Sequence, residues 1–145
     1  MMLAATTKEF TLSVPAAPER LRTVRLATRR LDATTAVITV AGEIDAANTD
    51  ALTNYLTAAA TPGSRLVLDT TSLDFFAIEG VSTLQGIGDR FSAGGVRWVL
   101  VPGAAVARVL RVCDPEGSLP TATTVETALT DVADRARRPL VLVAR

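Results

Sequence analysis

Hydroxyl groups gather ahead of one prospective helix and just inside it. Thr70, Thr71 and Ser72 follow the strand-like run Leu66-Val67-Leu68-Asp69, and Ser82 lies one turn into a helix expected to begin near Glu79. Each is a candidate phosphate acceptor, and hydroxyls are common enough along the chain that their spacing does not choose among them. Asp69, at the end of a strand, could instead take phosphate as a receiver carboxylate. That chemistry needs a metal-binding acidic cluster at another strand end and a lysine near the phosphoryl group. The sole lysine, Lys8, lies far away in the N-terminal segment.

Other reactive groups are scarce. The chain has no histidine and a single cysteine, Cys113. Imidazole-dependent general base catalysis, Ser-His-Asp triads and His-containing zinc sites are therefore excluded within it, as is an intrachain disulfide. Cys113 shares an apolar helical face with Val106, Val109 and Leu110, which suits a packed thiol. Gly86-Ile87-Gly88 has the letters of a dinucleotide loop but no strand before it, and it falls inside a helical stripe. No catalytic residue, metal site or cofactor is expected, and the chain reads as a non-enzyme.

The elements that would position these groups follow from periodicity. Residues 1–19, with Pro15 and Pro18, form a loose N-terminal arm whose alternation at Phe10, Leu12 and Val14 would add at most an edge strand. Thr23–Leu31 and Ala36–Ala41 read as a hairpin around Asp32 to Thr35. Gly42-Glu43-Ile44-Asp45 breaks the second strand, and Asp45 or Asn48 can accept backbone N–H groups at a helix start. Leu52, Tyr55, Leu56 and Ala59 then form one stripe, ended by Pro62-Gly63. Arg65–Asp69 is a strand whose unbroken Leu66-Val67-Leu68 predicts burial on both faces.

Leu84, Ile87, Gly88 and Phe91 mark the helix after Glu79, which stops at Gly94-Gly95. Val96–Val101 is a further strand, and a helix after Pro102-Gly103 carries the Cys113 face. The last helix opens on the capping box Thr123-Thr124-Val125-Glu126. Strands alternating with helices after a hairpin predict a single α/β domain over residues 20–138, a mixed sheet with about four helices packed on it. Residues 139–145 form an apolar tail, expected as a terminal edge strand.

Two segments carry a family resemblance. The stretch from Leu66 to Leu84 resembles the core signature of STAS domains, the bacterial anti-sigma factor antagonist family, in which Asp-Ser-Ser-Gly opens the second helix. Here those positions read Ala77-Ile78-Glu79-Gly80. Gly42-Glu43-Ile44-Asp45 resembles the family's Gly-Glu-Leu-Asp turn, and the similarity runs from about Thr35 to Val132. The resemblance implies a module that binds an anti-sigma factor of the serine-kinase type and so frees a sigma factor for transcription. It places the partner surface at Asp45, Ala77, Ile78, Glu79, Gly80 and Ser82.

In the family, the first Ser after the Asp accepts the phosphate that ends binding, by bringing about two negative charges into a close interface. Ile78 occupies that position and cannot be phosphorylated, which leaves Ser82, Thr70, Thr71 or Ser72. Ile78 is either a helix-start residue turned into the core or an exposed apolar contact. Glu79 could imitate part of a phosphate's charge, or simply favour the positive end of the helix. The alternatives are a STAS scaffold or small-ligand sensor that no longer acts on a sigma factor, and a small enzyme or phosphotransfer receiver built on Asp69.

Composition is that of an ordinary soluble globular protein. Of 145 residues, 48% are hydrophobic and 21% charged, enough apolar surface for one core without disulfides. Fifteen basic and fifteen acidic residues cancel, so no overall field draws the chain to nucleic acid. Arg20, Arg22, Arg25, Arg29 and Arg30 cluster with Glu19 and Asp32 among them, as on a solvated strand face. No apolar run approaches the roughly 20 residues that cross a bilayer, and a cytoplasmic location is expected; oligomeric state is left open.

Overall fold

The computed structural model describes residues 6–17 and 20–137. Among them run β1 (Thr6–Ala17), β2 (Arg20–Arg30), β3 (Thr35–Ile44), α1 (Thr49–Ala59), β4 (Arg65–Phe76), α2 (Glu79–Ala93), β5 (Arg97–Pro102), α3 (Ala104–Cys113) and α4 (Val125–Arg137). The strands form one sheet in the order β1-β2-β3-β4-β5. The first two pairs are antiparallel and the last two parallel, and α1 and α2 supply the crossovers that parallel neighbours require. This is the mixed α/β domain that the alternation of elements predicts.

The hairpin between β2 and β3 is fixed by Asp32. Its Oδ1 accepts the backbone N–H groups of Thr34 and Thr35, each at 2.8 Å. The Thr34 amide, followed by that of Thr35, holds the Asp32 carboxyl below its ordinary value. Residues 6–17 are more regular than a loose arm. Phe10, Leu12 and Val14 pair in register with Leu26, Val24 and Arg22, and the pairing slips only between Pro15 and Ala17. Main-chain groups on the edge of β2 pair with an incoming strand whatever its side chains, so a weak hydrophobic pattern suffices. The tail expected at 139–145 lies outside the described residues.

Gly42 does not end β3. The strand continues to Ile44 through Gly42 at φ 100°, a conformation that glycine adopts freely, and a Cβ there would collide with the Thr23 carbonyl oxygen. Here β4 outruns its neighbour: Thr39 pairs with Asp69 and Glu43 with Phe75, so four steps along β3 match six along β4. Those bulges let β4 extend to Phe76 across residues whose polarity reads as a link. Leu73 and Phe76 turn inward, while Thr71, Ser72, Asp74 and Phe75 face outward.

Helices cover both faces of the sheet. Leu52 and Leu56 of α1, Val81, Leu84, Ile87 and Phe91 of α2, and Val106 and Leu110 of α3 pack with Ile38, Val40, Leu66, Leu68 and Leu100. On the opposite face, Ala128 and Val132 of α4 pack on Val37, Val67, Val99 and Val101. Leu66 and Leu68 thus face one layer and Val67 the other, which accounts for their unbroken run. Cys113 is half-buried against the larger cluster. The cap of α4 is Thr124, whose Oγ1 accepts the Thr127 amide at 3.0 Å, rather than the Thr123–Glu126 pair. The outer edge of β5 is occupied as well: the Leu100 amide donates to Pro120 O and the Ala122 amide to Leu100 O.

Candidate functional site

The end of β3 and the start of α2 meet at one corner of the sheet. Ile44 pairs with Phe76, and the Ala77 amide donates to Ile44 O at 2.9 Å, so the Asp45 loop lies beside the α2 start. Asn48 holds the loop in shape. Fully buried, it donates from Nδ2 to Glu43 O at 2.9 Å and accepts the Asp45 amide on Oδ1 at 3.0 Å. It occupies the N-cap position of α1 yet makes no side-chain cap bond. Its amide is turned back to the preceding loop instead. Asp45 Oδ1 accepts the Ala47 amide at 2.9 Å.

On the other side of the corner, Ile78 stands at the N-cap of α2 with 67% of its surface exposed. The reading of Ile78 as a core residue is therefore set aside. Phe75 is 40% exposed, three positions earlier. Sequence reasoning missed it, because strict alternation from the inward Leu73 would turn Phe75 inward and Phe76 outward, the reverse of what the end of β4 does. Glu79 is exposed in the first turn of α2, where helix-dipole attraction favours a carboxylate.

Not every residue of the expected surface faces outward. Gly80 is buried against the Phe76 ring and offers a partner nothing directly. Ala77 is half-buried, and Ser82 is exposed with its Oγ donating to Glu79 O at 3.2 Å. Among the candidate acceptors, Thr70 is 2% exposed and donates to Val101 O at 2.8 Å, so a kinase has no access to it in the folded chain. Thr71 and Ser72 are exposed. The Thr71 hydroxyl donates to Asp69 Oδ1 at 2.7 Å, which engages the carboxylate that a receiver mechanism would use. Among the described residues no cluster of metal-ligating side chains occurs, and no helix is long and apolar enough to cross a membrane.

The model of the STAS domain family matches residues 26–128, which include both the Asp45 loop and the α2 start. The chain belongs to the STAS domain family. This STAS chain is 38% identical over 112 residues to Osmosensory protein A of Mycobacterium tuberculosis, covering 73% of its own length and 71% of the relative's. Its structure is similar to an anti-sigma factor antagonist from Mycobacterium paratuberculosis, with TM-score 0.61 and 25% identity over 82% of this chain and 99% of that one. The fold is shared with the anti-sigma factor antagonist SpoIIAA in its unphosphorylated form, with TM-score 0.58 and 21% identity over 79% and 98% of the two chains.

Proposed function

We propose that this STAS protein is a non-enzymatic anti-sigma factor antagonist. It binds an anti-sigma factor of the serine-kinase type in the cytoplasm and releases the sigma factor that the kinase had sequestered. The observation that carries this reading is the pair of exposed apolar side chains, Phe75 and Ile78, set beside the Asp45 loop at the α2 start. Large apolar groups held out by well-packed neighbours favour a protein partner. Asp74 and Glu79 flank the pair in sequence, so the partner's rim is basic where it meets them. The likeness to an antagonist at 25% identity supports the same reading.

In this proposal the kinase cannot switch the surface off at position 78, because an alkyl group occupies the acceptor position. Phosphate, where the kinase transfers it, goes to Ser82, Thr71 or Ser72. The test is to mix the purified chain with each purified anti-sigma kinase of its source organism in complex with its sigma factor. Displacement of sigma and recovery of run-off transcription are expected for one of them. A chain that leaves every such complex intact overturns the reading.

A further inference from the structure

A second feature lies at the other end of α2. A cleft of about 590 Å³ opens between the C-terminal half of α2, the start of β5 and the loop joining α3 to α4. That volume is within the range of about 300–1,000 Å³ typical of small-molecule sites. Trp98 lines it and is only 6% exposed, yet its indole N–H has no hydrogen-bond partner among the described residues. Indole is a donor only, and a buried one ordinarily has an acceptor. The ring is held by Phe91, edge-on at 6.0 Å between centroids.

Gly88 keeps the donor approachable. A Cβ at that position would stand 3.1 Å from Trp98 Cζ2 and 3.4 Å from Nε1, against the edge that carries the proton. Two opposite charges line the same cleft, Asp89 from α2 and Arg97 from β5, and neither side chain has a partner among the described residues. Ser118 and Gln85 add fixed polar groups, with Gln85 Nε2 reaching Ser118 Oγ at 3.4 Å and the Ser118 hydroxyl donating to Asp114 Oδ1 behind the wall at 2.7 Å, while Val96, Leu119 and Pro120 supply an apolar side.

We propose that this cleft binds a small zwitterion of the free amino acid class. Its carboxylate accepts the Trp98 indole N–H and pairs with Arg97, and its ammonium group meets Asp89. An anion alone would leave Asp89 as a like charge in the site, and an apolar ligand would leave the buried donor unsatisfied. The site is separate from the partner surface: eleven positions divide Ile78 from Asp89, about 16 Å along a helix.

Because Trp98 is the only tryptophan, a 15N-labelled sample gives one indole N–H resonance. The full chain is titrated with glycine, L-serine and L-glutamine, and with acetate and ethanolamine as half-ligands. At least one amino acid is expected to shift that resonance saturably, with a Kd on the order of 1 mM or tighter, and at least tenfold more tightly than either half-ligand. Arg97→Gln and Asp89→Asn are surface changes that should leave the melting temperature in place while weakening binding about fivefold or more. Gly88→Ala should abolish it. An indole resonance unmoved by all three amino acids, equal binding of acetate alone, or full affinity in both charge variants overturns the proposal.

Discussion

Gly80 sits against the Phe76 ring so closely that a Cβ at position 80 would overlap the ring's Cζ and Cε1 atoms. Phe76 is 4% exposed and has little room to swing aside. Gly80→Ala should therefore act as overpacking, with a loss of about 1–3 kcal/mol. Urea denaturation checks this; an unchanged midpoint would mean that the ring relocates without strain.

Ile78→Asp tests the partner surface. The side chain is largely in water, and an acid suits the first turn of a helix, so stability should change by about 0.5 kcal/mol or less. Binding to the anti-sigma factor proposed as partner should fall at least tenfold, because the new carboxylate must be desolvated in an apolar contact. Thermal unfolding and affinity measured on one sample separate these effects.

Asn48→Ala removes a buried amide that serves two main-chain partners. The bonds to Glu43 O and from the Asp45 amide would both be lost, and stability should fall by about 1–3 kcal/mol in all. Asn48→Asp keeps the acceptor and loses the donor, and it also buries a charge, so it should not rescue stability at neutral pH. Equilibrium unfolding of the two variants distinguishes loop fastening from simple side-chain packing.

Acid should loosen the hairpin turn. The amides of Thr34 and Thr35 hold the Asp32 carboxyl below its ordinary value, so the unfolded chain takes up that proton first as pH falls. The stabilisation is complete above the ordinary carboxylate pKa of about 4 and is lost as pH drops below it towards the folded value. Asp114, lowered chiefly by the Ser118 hydroxyl, adds to the same limb. Both groups face solvent, so the effect is small. Asp32→Asn keeps the acceptor without titrating, and should flatten the denaturation midpoint between about pH 5 and about pH 2.

Much of the fold is legible in side-chain periodicity. Leu66, Val67 and Leu68 announce a strand covered on both faces, and Leu84, Ile87 and Phe91 a helix packed on it. What periodicity misses is structure held by main-chain bonds: the full length of β1, of which only the alternation at Phe10, Leu12 and Val14 is visible, and the extension of β4 through Thr70 to Phe76. Thr70 reads as a link residue because its polarity is visible and its bond to Val101 O is not. The candidate corner is legible as a pair of motifs. The inward turn of Asn48 is not, since a preference for helix starts says nothing of where the amide points. The Trp98 cleft is hidden for a related reason, as the lack of an acceptor is a property of the folded neighbourhood.

An open five-stranded sheet has two rims, and here they are unequal. Residues 120–122 lie along β5 and use both main-chain groups of Leu100, so among the described strands β1 presents the long free rim. Self-association in concentrated solution should therefore run through the N-terminal strand, where Lys8, Glu9 and Pro15 interrupt an otherwise stackable sequence. Stripping β1 away would not simply expose a stickier rim. It would expose β2, with Arg25, Arg29 and Arg30, and two such strands brought edge to edge repel. Those arginines would then serve as gatekeepers against aggregation, a second line of defence behind the strand that pairs with them.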